Sequence, residues 1–348
     1  MKIKFWRTEL TLTHAWAIAS GKTIGGIKQA PVAMLELTSA DGITGLGEAS
    51  PGSRYNEYVD GCLEFFAKLD PSKLSFDDIP GSMAYLESIS PGFFAAKGAV
   101  NIALVDGSAR KAGKALYDHL GLGFRDRHHV TSFSIGIAEP EVIRSKVLEA
   151  AQYPVLKLKM GRENDRENLA ALRDAAPDKW VRVDANEGWK TRELALERIE
   201  WLATDGHIQF IEQPMPSNSN PADLQWLKER SPLPIFGDES FHSSKDVSLC
   251  RDCFHGVNAK LCKTGGVSEA FEALKAARAA GLKTMIGCMI ESSILISGAA
   301  HLAELVDYLD IDGNILINDD PYLGVSSTGG LLSFKNTPEK TGLRVSKR

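Results

Sequence analysis

The chain is poor in cysteine, in long apolar runs and in net charge, and each shortage removes a class of function. It has five cysteines in 348 residues: Cys62, Cys250, Cys253, Cys262 and Cys288. An odd number without regular spacing argues against a disulfide framework and fits a reducing cytosol, so a cytoplasmic protein is expected. Cys250 and Cys253 form a lone "CRDC". A structural zinc site needs about four ligands, and no second pair exists. The motif closes a helical pattern that begins near Ser243 rather than following a strand, so it reads as two plain thiols. No run of about 18 apolar residues occurs, and no membrane span is expected. The opening residues "MKIKFWRTEL" have no apolar stretch and no small-residue cleavage site, so no signal peptide is expected. The formal net charge is −5, with 40 basic and 45 acidic residues mixed along the chain. Such a balance offers neither a nucleic-acid footprint nor a polybasic membrane patch. No Ser-His-Asp ordering or phosphate-cradling loop stands out either, and "KTGG" is not a P-loop.

What is present is a large, ordinary globular composition, long enough for one α/β barrel or for two domains. The first third reads as α+β. Residues 2–12 and 31–38 alternate like antiparallel strands, and "SADGITGLGE" carries an Asp41-Gly42 hairpin signal. Helical patterns follow over about 57–68 and 94–120, the second stopping at Gly121. From about residue 130 short apolar runs alternate with helical patterns: "TSFSIGI", "PVLKLKM", "WVRVDA", "IQFIEQ", "LPIFGD", "GVNAKL", "KTMIGC" and "DYLDID". Thr191 and Ser268 are expected helix N-caps, and Gly281 a helix stop. Strand and helix alternating every 25 residues or so, about the size of a βα unit, imply parallel βα units. Eight such strands predict a TIM-type (β/α)8 barrel, although an open doubly wound sheet uses the same local pattern. After about residue 325 the chain reads as hairpin-like cover returning to the first domain.

The strand ends decide between the two folds. In "VLKLKMG", Lys157 and Lys159 share one face of a strand that otherwise reads as core. Later strands end in Asp184, Glu212, Asp238 and Lys260. In a closed barrel these side chains ring one mouth, where barrel enzymes keep their active sites. In an open sheet the acids need not converge. Three converging carboxylates repel one another unless a cation intervenes, and hard oxygen ligands suit Mg²⁺. One Mg²⁺ per subunit is therefore expected on Asp184, Glu212 and Asp238. Asn186 and Glu239 stand beside two of these ligands and are expected to support them. Lys159 and Lys260 fall on opposite sides of the mouth by strand order. Two bases, one on each face of a carbon, let a proton leave one side and return on the other, which is racemase or epimerase chemistry. A proton beside a carboxylate is weakly acidic, and its removal gives an enediolate that needs concentrated positive charge. The metal and Lys157 would supply it. A lysine base calls for a lowered pKa. His242 reads as a surface histidine, Glu291 as unnecessary to a two-lysine mechanism, and Ser53, Tyr55 and Asn56 as a loop over the site.

At this point the chain resembles the enolase superfamily, muconate-lactonising subgroup. The matching stretches are "KLKMG", "VDANEGW", "IEQP", "GDES" and "NAKLCKTGG", in the family's order and spacing, and "GLGEASP" in the first domain. The resemblance covers essentially the whole chain. It implies an α+β capping domain over residues 1–125 with a lid loop at about 18–29. A modified TIM barrel, (β/α)7β, would span 126–325, and a segment at 326–348 would return to the cap. It implies Mg²⁺ on Asp184, Glu212 and Asp238, acid/base roles for Lys159 and Lys260, and assistance from Lys157. The "DxD" of "YLDIDG" is similar to that of dipeptide epimerases, where it holds the α-ammonium of a dipeptide. This assigns Asp310 and Asp312 to substrate binding. The implied reaction is epimerisation at the second residue of L-Ala-D/L-Glu or a related dipeptide, in recycling of cell-wall peptides. N-acylamino acid racemase and o-succinylbenzoate synthase are the enzymatic alternatives, and a non-catalytic ligand-binding barrel is the remote one. The chain departs from the pattern in the lid, "ASGKTIGGIKQ". Relatives acting on Ala-Glu carry an Arg there; this chain has Thr23, with Lys22 or Lys28 as substitutes. The expected partners are a small dipeptide and neither nucleic acid nor membrane; a homo-oligomer is left open.

Overall fold

A computed structural model describes residues 1–21 and 26–348. The first layer is an antiparallel sheet of β1 (Lys2–Trp16), β2 (Ile27–Thr38) and β3 (Thr44–Ala49), in that order. The β2–β3 turn passes through Gly42 at φ +83°, a conformation that needs glycine in a tight hairpin. Three helices back the sheet: α1 (Val59–Ala67), α2 (Ile79–Ile89) and α3 (Phe94–Lys111). α3 is buried nearly all round, as a helix packed between two layers must be. It lies so close to β3 that a Cβ at Gly47 would sit 2.0 Å from the Ala99 carbonyl oxygen. On its other side Gly98 packs against the backbone at Gly265 and Gly266, which belongs to the barrel.

The barrel has eight parallel strands in consecutive order. They are β4 (Phe133–Ile135), β5 (Val155–Lys159), β6 (Trp180–Asp184), β7 (Ile208–Glu212), β8 (Ile235–Gly237), β9 (Gly256–Lys260), β10 (Lys283–Gly287) and β11 (Tyr308–Asp310). Thr131 pairs in parallel with Leu309, and Ser132 N–H donates to the Leu309 carbonyl at 3.2 Å, which draws the first and last strands together. The expected barrel is therefore the fold, and each of the eight apolar runs carries one strand. The lower interior is filled by Phe210, Phe236, Met285 and Tyr308. Arg182 lies across Phe210 and Tyr308 at 5.5 and 5.1 Å from the ring centres, and donates to the Leu309 carbonyl at 2.5 Å. This layer closes the bottom of the barrel, leaving the polar row above it open only toward the cap.

Some local expectations differ. The helical pattern over 94–120 is interrupted: α3 ends at Lys111, Gly113 turns the chain at φ +67°, and a separate turn occupies Leu116–His119. Thr191 caps its helix as expected, accepting from Leu194 N–H at 3.2 Å. Ser268 does not cap: its helix starts at Val267 after Gly266 at φ +113°. The Asn101 side chain, reaching across from α3, accepts from Ser268 N–H at 3.1 Å instead. Sequence spacing cannot show a cap supplied by another element. α2 was absent from the helical patterns, although Asp78 and Pro80 mark its start, Asp78 accepting from Gly81 N–H at 2.9 Å.

The end of the chain reaches both layers. β12 (Tyr322–Leu323) pairs with β13 (Ser346–Lys347), and the buried Asp106 of α3 accepts from Leu46 N–H, Leu343 N–H and Arg110. A second buried acid, Glu48 of β3, crosses from cap to barrel. It accepts from Ser292 N–H at 2.9 Å and Ser292 Oγ at 2.5 Å, at the start of the barrel helix Ser293–Ala300. Burial pushes the Glu48 carboxyl up to about 8, Glu291 and Asp320 add to this, and the Ser292 donors oppose it. The folded chain thus keeps a proton that the unfolded chain releases near pH 4.3. The associated stability is complete below about pH 4.3 and is lost as pH rises to about 8. Urea unfolding at about pH 5 and about pH 8 is expected to show a smaller loss for Glu48→Gln than for the wild type. Equal losses would remove Glu48 as the source.

Candidate active site

Strand register assembles the site. Lys159, Asp184 and Glu212 are successive partners across β5, β6 and β7, and Lys260, Gly287 and Asp310 are successive partners across β9, β10 and β11. Asp238 follows the last residue of β8. All five residues of β5 are buried, so its alternation sends Lys157 and Lys159 inward and Leu156 and Leu158 into the helical layer. Gly287 contributes no side chain to the ring, and the Asn258 amide fills its place: a Cβ there would lie 2.7 Å from that amide.

The three acids expected to bind metal do converge. Ligand oxygens of Asp184, Glu212 and Asp238 lie within 4.8 Å of one another, and all three residues are fully buried. Their donor set is all-oxygen, which suits a hard cation such as Mg²⁺. Among the described residues, Glu212 Oε2 meets only the Lys157 ammonium, 2.7 Å away. Asn186 N–H donates to Asp184 at 2.9 Å, and its side chain donates to Glu239 at 3.3 Å. Among the described residues, Asn186 Oδ1 and Glu239 Oε2 have no partner. Burial raises the Glu239 carboxyl to about 8, reinforced by Asp238 and Asp184, and raises Glu212 to about 7. Such an acid-rich pocket, with unmet oxygens, fits a divalent cation.

The lysines interleave with the acids. Lys157 Nζ lies 2.6 Å from Asp310, 2.7 Å from Glu212 and 3.1 Å from Asp184. Lys159 contacts Asp184 and Lys260 contacts Asp238, each at 2.7 Å. Three strands, β6, β7 and β8, lie between Lys159 on β5 and Lys260 on β9, so the two stand on opposite sides of the eight-stranded mouth. The expected lowering of a lysine pKa is not what surrounds Lys260. Burial is the largest influence and pulls it down, but the Asp238 and Glu212 carboxylates act together against it, and the ammonium is held well above its usual value. Lys157 is held up in the same way by Asp310, Glu212 and Asp184.

Asp310 and Asp312 are both buried but differ in their partners. Asp310 ends β11 and is engaged by Lys157 and by Ser132 Oγ at 2.6 Å, which with Lys159 keep its carboxyl low against burial. Asp312 lies past the strand end. Its Oδ2 accepts from Ser134 N–H at 2.6 Å, and among the described residues its Oδ1 meets only Cys288 Sγ at 3.8 Å. Burial and the Asp310 charge raise Asp312 to about 6. Lys22 and Thr23 lie outside the described residues.

Several residues were not singled out from sequence. Lys263 is fully buried and donates to the Asp238 carboxylate and carbonyl. It sits three residues after Lys260, inside "NAKLCKTGG", and that spacing was its only signal. Asn258 donates to Glu212 at 2.8 Å. Glu291, set aside from sequence, is buried and accepts from Met289 N–H and Cys262 Sγ. His242 is half-buried against the Tyr55 ring at 5.5 Å. Arg54, in the cap loop, forms two bonds to Glu187 at 2.5 and 2.7 Å. Asn186, Glu187 and Gln213, just past the ends of β6 and β7, all adopt positive φ, a strained backbone of the kind that clusters at functional sites.

The chain matches two family patterns: the mandelate racemase/muconate lactonizing enzyme N-terminal domain over residues 8–121, and the enolase C-terminal domain-like family over 142–332. It is 67% identical over 345 residues to the L-Ala-D/L-amino acid epimerase of Pedosphaera parvula, covering 99% of each chain. It is 38% identical to the L-Ala-D/L-Glu epimerase of Bacteroides thetaiotaomicron, covering 97% of this chain and 86% of that one. A crystal structure of a dipeptide epimerase from Enterococcus faecalis V583, complexed with Mg and L-Leu-L-Tyr, superposes with a TM-score of 0.89 at 30% identity over 99% of both chains. The chain belongs to the enolase superfamily, in its mandelate racemase and muconate lactonizing enzyme group.

Proposed function

We propose that the chain is a Mg²⁺-dependent dipeptide epimerase that moves the α-proton of the second residue between two lysines. The chain is an isomerase of the racemase and epimerase class. The observation that carries the finer reading is the pairing of Lys159 with Asp184 and of Lys260 with Asp238, on opposite sides of one carboxylate cluster.

In this reading Asp184, Glu212 and Asp238 hold the metal and Asn186 and Glu239 orient them. Bound Mg²⁺ supplies the positive charge that a developing enediolate requires and offsets the carboxylates that otherwise restrain the lysines. Lys157 adds a fixed positive charge at the same place; its three carboxylate neighbours keep it protonated, so it suits charge support and not proton removal. One of Lys159 and Lys260 removes the proton from one face, and the other returns a proton to the opposite face. The dipeptide's ammonium is seated by Asp310 and Asp312. Among these two, Asp312 retains the oxygen with the weaker partner, Cys288, and is the better seat. The aromatic layer below and the cap above keep water from the reacting carbon. The fit of the whole site to L-Ala-D/L-Glu or a related dipeptide is supported by the relatives' named activities.

Two measurements test this. In D₂O the wild type should wash deuterium into the α-carbon of a dipeptide starting from either epimer. Lys159→Ala and Lys260→Ala should each lose epimerisation by on the order of 10²–10⁴-fold, the usual worth of a general acid or base. Each variant should retain wash-in from only one epimer, and the retained epimer should differ between them. Full racemising activity in both variants would falsify the two-base assignment. Asp312→Asn should raise KM for dipeptides by about 10- to 100-fold, corresponding to a charged hydrogen bond of roughly 1.5–3 kcal/mol. Unchanged turnover at low substrate would remove Asp312 as the ammonium seat.

A further inference from the structure

Lys263 is buried at the barrel mouth and has no task in the reading above. β9 ends at Lys260, and a single helical turn, Leu261–Thr264, follows at once and is closed by Gly265 at φ +82°. Residues three apart in such a turn are neighbours, so the turn brings Lys263 back beside Lys260. The two lysines then meet one carboxylate through different oxygens. Lys260 donates to Asp238 Oδ2 at 2.7 Å, and Lys263 donates to Oδ1. Lys263 also donates to the Asp238 carbonyl, and to the Asn258 carbonyl of β9 at 3.3 Å. An ammonium has three N–H bonds, and here each has a fixed acceptor.

A donor that bridges the carbonyl and the carboxylate of the same residue closes a small ring and locks that residue's side-chain torsions. Asp238 needs such a lock. It lies just past the end of β8, and the Gln213 side chain, which accepts from its N–H at 2.9 Å, fixes the backbone but not the carboxylate. Asp184, the counterpart beside Lys159, is held differently. Lys159 and Lys157 both meet its Oδ2, at 2.7 and 3.1 Å, and its Oδ1 accepts from Asn186 N–H at 2.9 Å. The backbone thus orients Asp184, and Lys263 orients Asp238. Two ammonium groups on one carboxylate repel each other, and buried ion pairs add little net stability. A second lysine on Asp238 is therefore poorly explained by stability.

We propose that Lys263 is a positioning residue for the proton transfer made by Lys260. It clamps Asp238 through Oδ1 and the carbonyl, so that Oδ2 faces Lys260 and keeps that ammonium on its own side of the mouth. Lys159, on Asp184, does not depend on this clamp. The inference rests on the epimerase reading. Its test is the initial rate of α-deuterium wash-in in D₂O, measured separately from each epimer of L-Ala-D/L-Glu and of L-Ala-D/L-Met. The wild type is compared with Lys263→Met and Lys260→Ala, each at a Mg²⁺ concentration that saturates the rise in its unfolding temperature. Lys260→Ala marks the epimer whose proton faces Lys260. Lys263→Met should slow wash-in from that epimer by on the order of 10²-fold relative to the other, the cost of misplacing a reacting group by about 1 Å. The ratio between epimers is the readout, because weaker metal binding or a loosened fold would slow both. Equal slowing of the two epimers, or an unmoved ratio, overturns the positioning role. Lys263→Gln, which keeps an N–H donor, supplies the same ratio should Lys263→Met not fold. No wash-in from any of these dipeptides in the wild type would overturn the epimerase reading itself, and so is distinguishable from either result.

Discussion

Everything in this protein is organised around a buried cluster of lysines and carboxylates at the barrel mouth. Lys157, Lys159, Lys260 and Lys263 interleave with Asp184, Glu212, Asp238 and Asp310, and all eight are buried. Taking such ions from water costs several kcal/mol each, and well-packed apolar residues of similar volume would often serve stability as well. Removing a single partner, by contrast, costs about 3–5 kcal/mol because it strands the other charge. A cluster of this kind is therefore poorly explained by stability and well explained by chemistry. It sets three carboxylates close together with lysines on opposite sides of them, the arrangement that the proposed proton transfer requires.

The rest of the fold serves to hold that cluster at fixed geometry. The aromatic plug of Phe210, Phe236 and Tyr308 closes it from below, with Arg182 spanning the plug to reach the Leu309 carbonyl. From above, cap and barrel are joined at several places, four of them of different chemistry. α3 packs by close backbone approach at Gly98, Asn101 caps a barrel helix, Glu48 caps another, and Arg54 grips Glu187. Three of the four are polar contacts made by buried or half-buried side chains, so the cap is fixed in orientation and not merely in proximity.

Much of the barrel was legible in the sequence, because its signals are local. A parallel strand covered on both faces reads as a short apolar run, and all eight runs appear as strands. The polar residues at the ends of those runs were legible for the same reason: a lysine such as Lys157 in an apolar strand has no local explanation. What escaped was supplied across the fold. Lys263 carries no signal beyond its place in "NAKLCKTGG", since only the approach of β8 brings Asp238 to it. Arg54 and Glu187 lie 133 residues apart, and no spacing rule links them. Ser268 looked like a cap until Asn101 took that task from α3.

The amino-acid sequence by itself determined which chemistry is possible: three acids, a lysine pair on one strand and a lysine on a distant strand, each at a strand end, because alternation along a strand is a property of neighbouring residues. Only the tertiary structure decided how those groups share charge. Lys157 sits among three carboxylates, Lys159 and Lys260 each have one, Asp310 is occupied and Asp312 less so. Electrostatic energy depends on distances of a few ångströms between residues that the chain keeps far apart, and those distances exist only once the barrel has closed.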